Sequence, residues 1–164
     1  MLSKKLQDAI NQQINHELYS SYLYLAMSAH FESVNLPGFA RWMKVQSEEE
    51  TEHGMKFFHY VYERGSKVVL EAIAKPPADY KTPIDVMKKV LEHEKKVTGT
   101  IEALYELALK EKDYATQVML HWFIKEQVEE EKNASDIIEM LKNIGDAPAG
   151  LAMLDSKVGA RAKS

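Results

Sequence analysis

The chain has 164 residues, 21 Lys+Arg against 25 Asp+Glu for a net charge of −4, and no cysteine. That is material for one domain able to bury about two thirds of its unfolded surface. Without Cys there are no disulfides, thiolate metal sites or thiol nucleophiles, so any metal chemistry must use oxygen and imidazole ligands. No basic stripe suits nucleic acid, and no apolar run reaches the length that crosses a bilayer. The opening MLSKKLQDAINQQI reads as a helix start without the apolar core of a signal peptide, so a cytoplasmic location is expected.

In chain order, Leu6, Ile10, Ile14, Leu18, Tyr22, Leu25 and Ala29 recur at three- and four-residue steps, which predicts a first helix over residues 4–33 with Ser3 as N-cap. Asn35-Leu36-Pro37-Gly38 breaks it, and a second helix runs over 37–64 to Gly65. The short connection makes the two antiparallel. Residues 65–82 carry Pro76-Pro77 and no sustained period. Extended at ~3.3 Å per residue, this stretch is long enough to return the chain along the whole bundle, leaving helices two and three parallel. Thr82-Pro83-Ile84-Asp85 then supplies an N-cap, a proline at N1 and an acid at N3 for a helix over 83–110. Asp113 caps a fourth helix over 113–143, and a short apolar helix is expected over 147–159. The expected fold is all-α: one ferritin-like four-helix bundle over residues 1–164, with one long crossover and a short fifth helix.

Periodicity alone fits an all-α scaffold without a site equally well. The acids decide. Glu17 falls close to the apolar stripe of helix one, and Glu50 lies seven residues from both Met43 and Phe57, with His53 one turn on. A carboxylate inside a bundle is costly unless it is paired or binds a metal. The spacing then repeats: Glu17 to Glu50 and Glu94 to Gln127 are each 33 residues, and Glu17 to Glu94 and Glu50 to Gln127 are each 77. Each long helix therefore offers a ligand at mid-length. Oxygen donors with one imidazole suit Fe(II), Mn(II) or Zn(II), and two such ions would offset the mutual repulsion of Glu17, Glu50, Glu94 and Glu130. In the empty site each of these acids should have a raised pKa.

Where a symmetric dimetal bundle repeats Glu-x-x-His, this chain has Gln127-Val128-Glu129-Glu130. The expected assignment is one ion on Glu17, Glu50 and His53 and a looser one on Glu50, Glu94 and Glu130, with Gln127 orienting or touching it. Glu49, Glu126 and Glu129 crowd the same level and are candidates for a third site. Tyr24, two turns beyond Glu17, is placed to hydrogen-bond a ligand carboxylate or to give an electron. Trp122 reads as packing. His16, His30, His59, His93 and His121 read as non-ligands, with His16, His93 and His121 beside outward-pointing neighbours.

Glu17, Glu50-x-x-His53, Glu94 and Gln127-x-x-Glu130, together with Tyr24 and the runs EEETEH and EQVEEEK, closely resemble the non-haem ferritins of bacteria and archaea over essentially the whole chain. The resemblance implies a ferroxidase that oxidises Fe(II) with O2 or H2O2 at an intrasubunit di-iron centre and stores ferric mineral in a homo-oligomeric shell of 24 subunits. It implies Glu17, Glu50 and His53 for the first iron, Glu94, Glu130 and Gln127 for the second, and Glu49, Glu126 and Glu129 for a third, with the fifth helix lining the fourfold axes. Haem is not expected, because Thr51-Glu52 stands where haem-binding relatives carry a ligating Met. Two rival classes are a dimetal-carboxylate oxidase or peroxidase acting on another substrate, and a non-catalytic structural bundle.

Overall fold

A computed structural model describes residues 1–163; Ser164, the last residue of the expected domain, lies outside the described residues. Five helices follow one another: α1 (Lys4–Ser33), α2 (Pro37–Glu63), α3 (Pro83–Lys110), α4 (Tyr114–Ile144) and α5 (Pro148–Gly159). Among the described residues there is no strand, and no helix is long and apolar enough to cross a membrane. The all-α bundle with a short fifth helix is therefore the observed architecture.

Local chemistry explains three of the five helix starts. Ser3 accepts from the Leu6 N–H, and Thr82 and Asp85 form a reciprocal capping box with Pro83 in the first turn. Asp113 accepts from the Thr116 N–H and also takes a two-pronged pair from Arg64 at the end of α2, with both N–O distances 2.8 Å. That guanidinium holds the Asp113 carboxyl well below the usual carboxylate range. Asn35 (φ 59°) reverses the chain between α1 and α2.

The crossover is held by an amide ladder. Gln7 and Asn11 donate to the Lys67 carbonyl, Asn11 accepts from the Val69 N–H, and Asn15 donates to the Ala72 carbonyl at 3.2 Å. Side chains at i, i+4 and i+8 of one helix thus guide the loop parallel to α1. The chain is carried back past the whole of α2, so α3 starts beside the start of α2 and runs parallel to it. The α1/α2 and α3/α4 pairs pack as antiparallel hairpins, joined chiefly through α1 against α3.

The start of α2 has no cap of its own. Its N-cap position is Leu36, and the Gly38 and Phe39 N–H groups donate instead to the buried Asp155 carboxylate of α5, at 3.0 and 2.9 Å. A Cβ on Gly38 would lie 1.7 Å from the Asp155 carbonyl oxygen, so the crossing requires glycine. Gly38→Ala is expected to undock α5 or to cost ~1–3 kcal/mol. Thermal melting combined with limited trypsin digestion of the tail checks this, and an unchanged melt with a protected tail would contradict it.

The apolar interior is divided in two. One cluster gathers Tyr24, Met27, Phe31, Phe39, Met43, Met87 and Ile138 at the α5 end, and the other gathers Ile10, Ile14, Phe57, Val97, Ile101, Leu120 and Phe123 at the opposite end. Between them lies a layer of polar side chains.

Candidate metal centre

All four long helices supply that layer. Glu17, Glu50, His53, Glu94, Gln127 and Glu130 are each 5% exposed or less, a depth at which unpaired carboxylates are very costly. Glu17, Glu50 and His53 each present one ligand atom, and these atoms all lie within 4.8 Å of one another. Bonds of ~2.1 Å to one ion place ligands at most ~4.2 Å apart, so adjustments of a few tenths of an ångström close this cluster on a cation. His53 Nδ1 lies 3.5 Å from Glu50 Oε2, and its ring is wedged edge-on against Trp122. Glu17 accepts from the Gln13 amide at 2.8 Å through Oε1, while its buried Oε2 has no hydrogen-bond partner among the described residues. With both carboxyls ionised, Glu17 Oε2 has no donor and faces a second carboxylate and an imidazole, an arrangement that suits a bound cation.

The other half of the layer is satisfied differently. Glu94 accepts from the Tyr24 hydroxyl and, at 3.1 Å, from the Gln127 amide. That same amide NH2 also reaches the Glu94 carbonyl and the Thr98 hydroxyl, each at 3.2 Å. Glu130 accepts from the Gln46 amide at 2.6 Å. Glu50, Glu94 and Glu130 do not draw together as tightly as the first three, and among the described residues Glu17, Glu50 and His53 are the one compact group.

The electrostatics carry the same strain. Burial first, then the neighbouring Glu50 charge, pushes the Glu17 carboxyl well above its usual range, and burial followed by the Glu94 charge does so for Glu50. Glu94 is raised to about 7 and Glu130 to about 8, with burial the main cause in both. The fully buried Tyr24 hydroxyl is pushed up by burial and by the Glu94 carboxylate it serves, so it stays a donor.

The third group is not drawn to one point. Glu49 is buried and paired with Arg161, Glu126 is half-buried and Glu129 is exposed. Glu126, Glu129 and Glu130 line one side of an open pocket of about 400 Å³ whose other walls include Trp42 and Arg161. Of the histidines, His16, His59 and His121 are exposed. The His93 ring is half-buried against Tyr19 and Tyr24, its Nε2 lies 2.7 Å from Ser20 Oγ, and burial lowers its pKa to about 4.

Three participants escaped the sequence reading: Gln13, Gln46 and Arg161. The first two had a signal. Gln13 precedes Glu17 by four residues and Gln46 precedes Glu50 by four, so the two amides repeat the 33-residue spacing of the acids they serve.

The Ferritin-like domain family matches residues 7–144. A bacterial non-heme ferritin of Bacteroides fragilis (strain 638R) is 45% identical over 161 residues, 98% of this chain and 100% of the relative. The chain belongs to the bacterial and archaeal non-haem ferritins. A bacterial non-heme ferritin of Staphylococcus aureus (strain USA300) is 38% identical across 98% of this chain and 97% of its own length. Among solved structures, an open-pore ferritin from the hyperthermophilic archaeon Archaeoglobus fulgidus superposes with a TM-score of 0.97 at 46% identity, covering 99% of each chain. An engineered closed form of the Archaeoglobus fulgidus ferritin superposes with a TM-score of 0.98 at 46% identity, covering 100% of each. A ferritin fold built around a buried Glu/Glu/His cluster supports an iron-oxidising function.

Proposed function

We propose that this chain is the ferroxidase subunit of an iron-storage shell of 24 copies in the cytoplasm. The buried polar layer that splits the core, with Glu17 Oε2 lacking a partner inside it, carries this reading. Fe(II) is the substrate. Glu17, Glu50 and His53 bind the first ion; Glu50, Glu94 and Glu130 bind the second, and Gln127 orients Glu94. Two Fe(II) held together can pass two electrons to one O2, which takes up two protons to become H2O2 and avoids the one-electron step to superoxide; H2O2 itself can serve as oxidant in the same way. Tyr24 holds the Glu94 carboxylate in place and, bonded to that ligand, is placed to supply an electron. The apolar clusters above and below exclude bulk water from the layer.

Glu49, Glu126 and Glu129 form the route by which ferric iron leaves the pair for the mineral. Tyr22, Leu25, Leu70, Val118, Val128 and Met153 are large apolar side chains left exposed on one subunit, as expected of surfaces that other copies cover. Glu129→Ala tests the exit route. The fast oxidation of the first two Fe(II) per subunit is expected to survive, and stopped-flow absorbance should show later additions slowed. Identical later cycles would contradict the route.

A further inference from the structure

Beyond α5 the chain turns back over α2. Arg41 fixes the turn, donating from Nε to the Gly159 carbonyl at 2.9 Å and from Nη2 to the Arg161 carbonyl at 3.3 Å. Arg161 then lays its guanidinium over the Trp42 ring, 4.6 Å from the centroid, with only 15% of the side chain exposed. Its Nη2 donates to Glu49 Oε2 at 2.5 Å and its Nη1 to Gln46 Oε1 at 2.7 Å. Gln46 extends the contact inward, since its amide is the donor to Glu130 and reaches Glu50 Oε1 at 3.5 Å. Lys163 pairs with Glu52 at 2.6 Å and lies 3.9 Å from Glu48. The tail thus sets two cations on the acidic run of α2.

We propose that Arg161 is a tethered counter-cation which competes with divalent metal for Glu49 and, through Gln46, positions Glu130. The proposal rests on the reading of Glu49 as part of a third iron position. A divalent ion on Glu49 would bring a second cation within a few ångströms of the guanidinium that already neutralises this carboxylate, so metal and Arg161 oppose each other there. Because the competitor is part of the same chain, its effective concentration stays high whatever the ionic conditions. The acids beyond the pair are thereby kept weaker for metal than the layer itself, and iron fills the oxidising centre first. Arg161 is a positioning residue that never touches the reacting atoms.

Zn(II), which is redox-inert, is the probe, used on the assembled iron-free protein with Trp122→Phe as background so that Trp42 is the remaining tryptophan. Calorimetry is expected to show two tight equivalents per subunit and a weaker third, with Trp42 emission changing at the third as the guanidinium leaves its ring. In Arg161→Gln the third equivalent should tighten about tenfold and Trp42 should no longer respond to it, with Arg161→Lys intermediate. Three equivalents of unchanged affinity in both proteins would overturn the proposal and leave the third-site reading standing. Two equivalents in both would overturn both. The Trp42 titration with Arg161 intact needs no tail variant, and a silent Trp42 at the third equivalent also overturns the proposal.

Discussion

Glu50→Gln is expected to lower the fast phase of Fe(II) oxidation by roughly 100-fold or more, because losing even an outer partner of a bound metal typically costs ~10–100-fold. In the same protein the iron-free form should become more heat-stable. Glu50 sits with Glu17 and His53 in the compact cluster and faces the Glu94 and Glu130 carboxylates, so both proposed ions depend on it. Gln keeps its volume and can still take the Gln46 contact, but removes an ionisable group that burial and the Glu94 charge make unfavourable when no cation is present. Rate and stability should move in opposite directions, as expected where a strained site serves function. Stopped-flow oxidation and calorimetric melting of the same preparation check this. A variant that is slow and also less stable would mean that Glu50 has a structural task instead.

The other large effect concerns protons. In the unfolded chain the four acids of the layer titrate near the ordinary value of ~4.3, whereas in the iron-free native state Glu94 and Glu130 titrate at about 7 and about 8, and Glu17 and Glu50 are raised well above their usual range. The native protein therefore holds protons that the unfolded chain has lost. The stability these groups contribute is fully present below the unfolded value and disappears as pH rises through 7 and 8. His93 and His16, both lowered by burial, act in the opposite sense, chiefly around and below their ordinary value of ~6.5. Between pH 6.5 and 8.5 the carboxylates outweigh the histidines, and the iron-free protein is expected to lose ~2 kcal/mol. That corresponds to a fall in Tm of ~5 °C or more. Metal ligands must be deprotonated, so Zn(II) binding at pH 7 should release roughly two or more protons per subunit and restore the lost stability. Calorimetry in buffers of different ionisation enthalpy measures the release. A flat melting profile and no proton release would contradict the picture of a protonated, waiting site.

What could be read from the residues, and what could not, follows from the range of the forces involved. Ser3, Thr82 with Asp85, and Asp113 act within three residues of themselves, so their caps were visible in the sequence. The cap of α2 was not, because Asp155 lies more than a hundred residues downstream of the N–H groups it serves. The ladder of Gln7, Asn11 and Asn15 could be seen as a helical spacing but not as a guide for the crossover, since the loop shows no period to match it. In the polar layer, the equal 33- and 77-residue separations pointed to four helices converging at one height. They said nothing of how each acid is satisfied. Tyr24 on Glu94 and Gln46 on Glu130 are pairings between helices. Arg161 is the extreme case: a tail arginine in no motif becomes the partner of Glu49 only once α5 has docked on α2.

Each subunit is proposed to oxidise iron as pairs inside a shell built from many copies. Anaerobic Fe(II) titration of the iron-free protein, followed by O2 with absorbance, O2 consumption and particle mass recorded together, tests it most directly. The layer is expected to saturate at two Fe(II) per subunit, with one O2 consumed per two Fe(II) in the first burst and a particle of about 24 subunits whose mass grows with repeated additions. A single Fe(II) per subunit, slow oxidation no faster than in buffer, or a particle that never gains mass would contradict it.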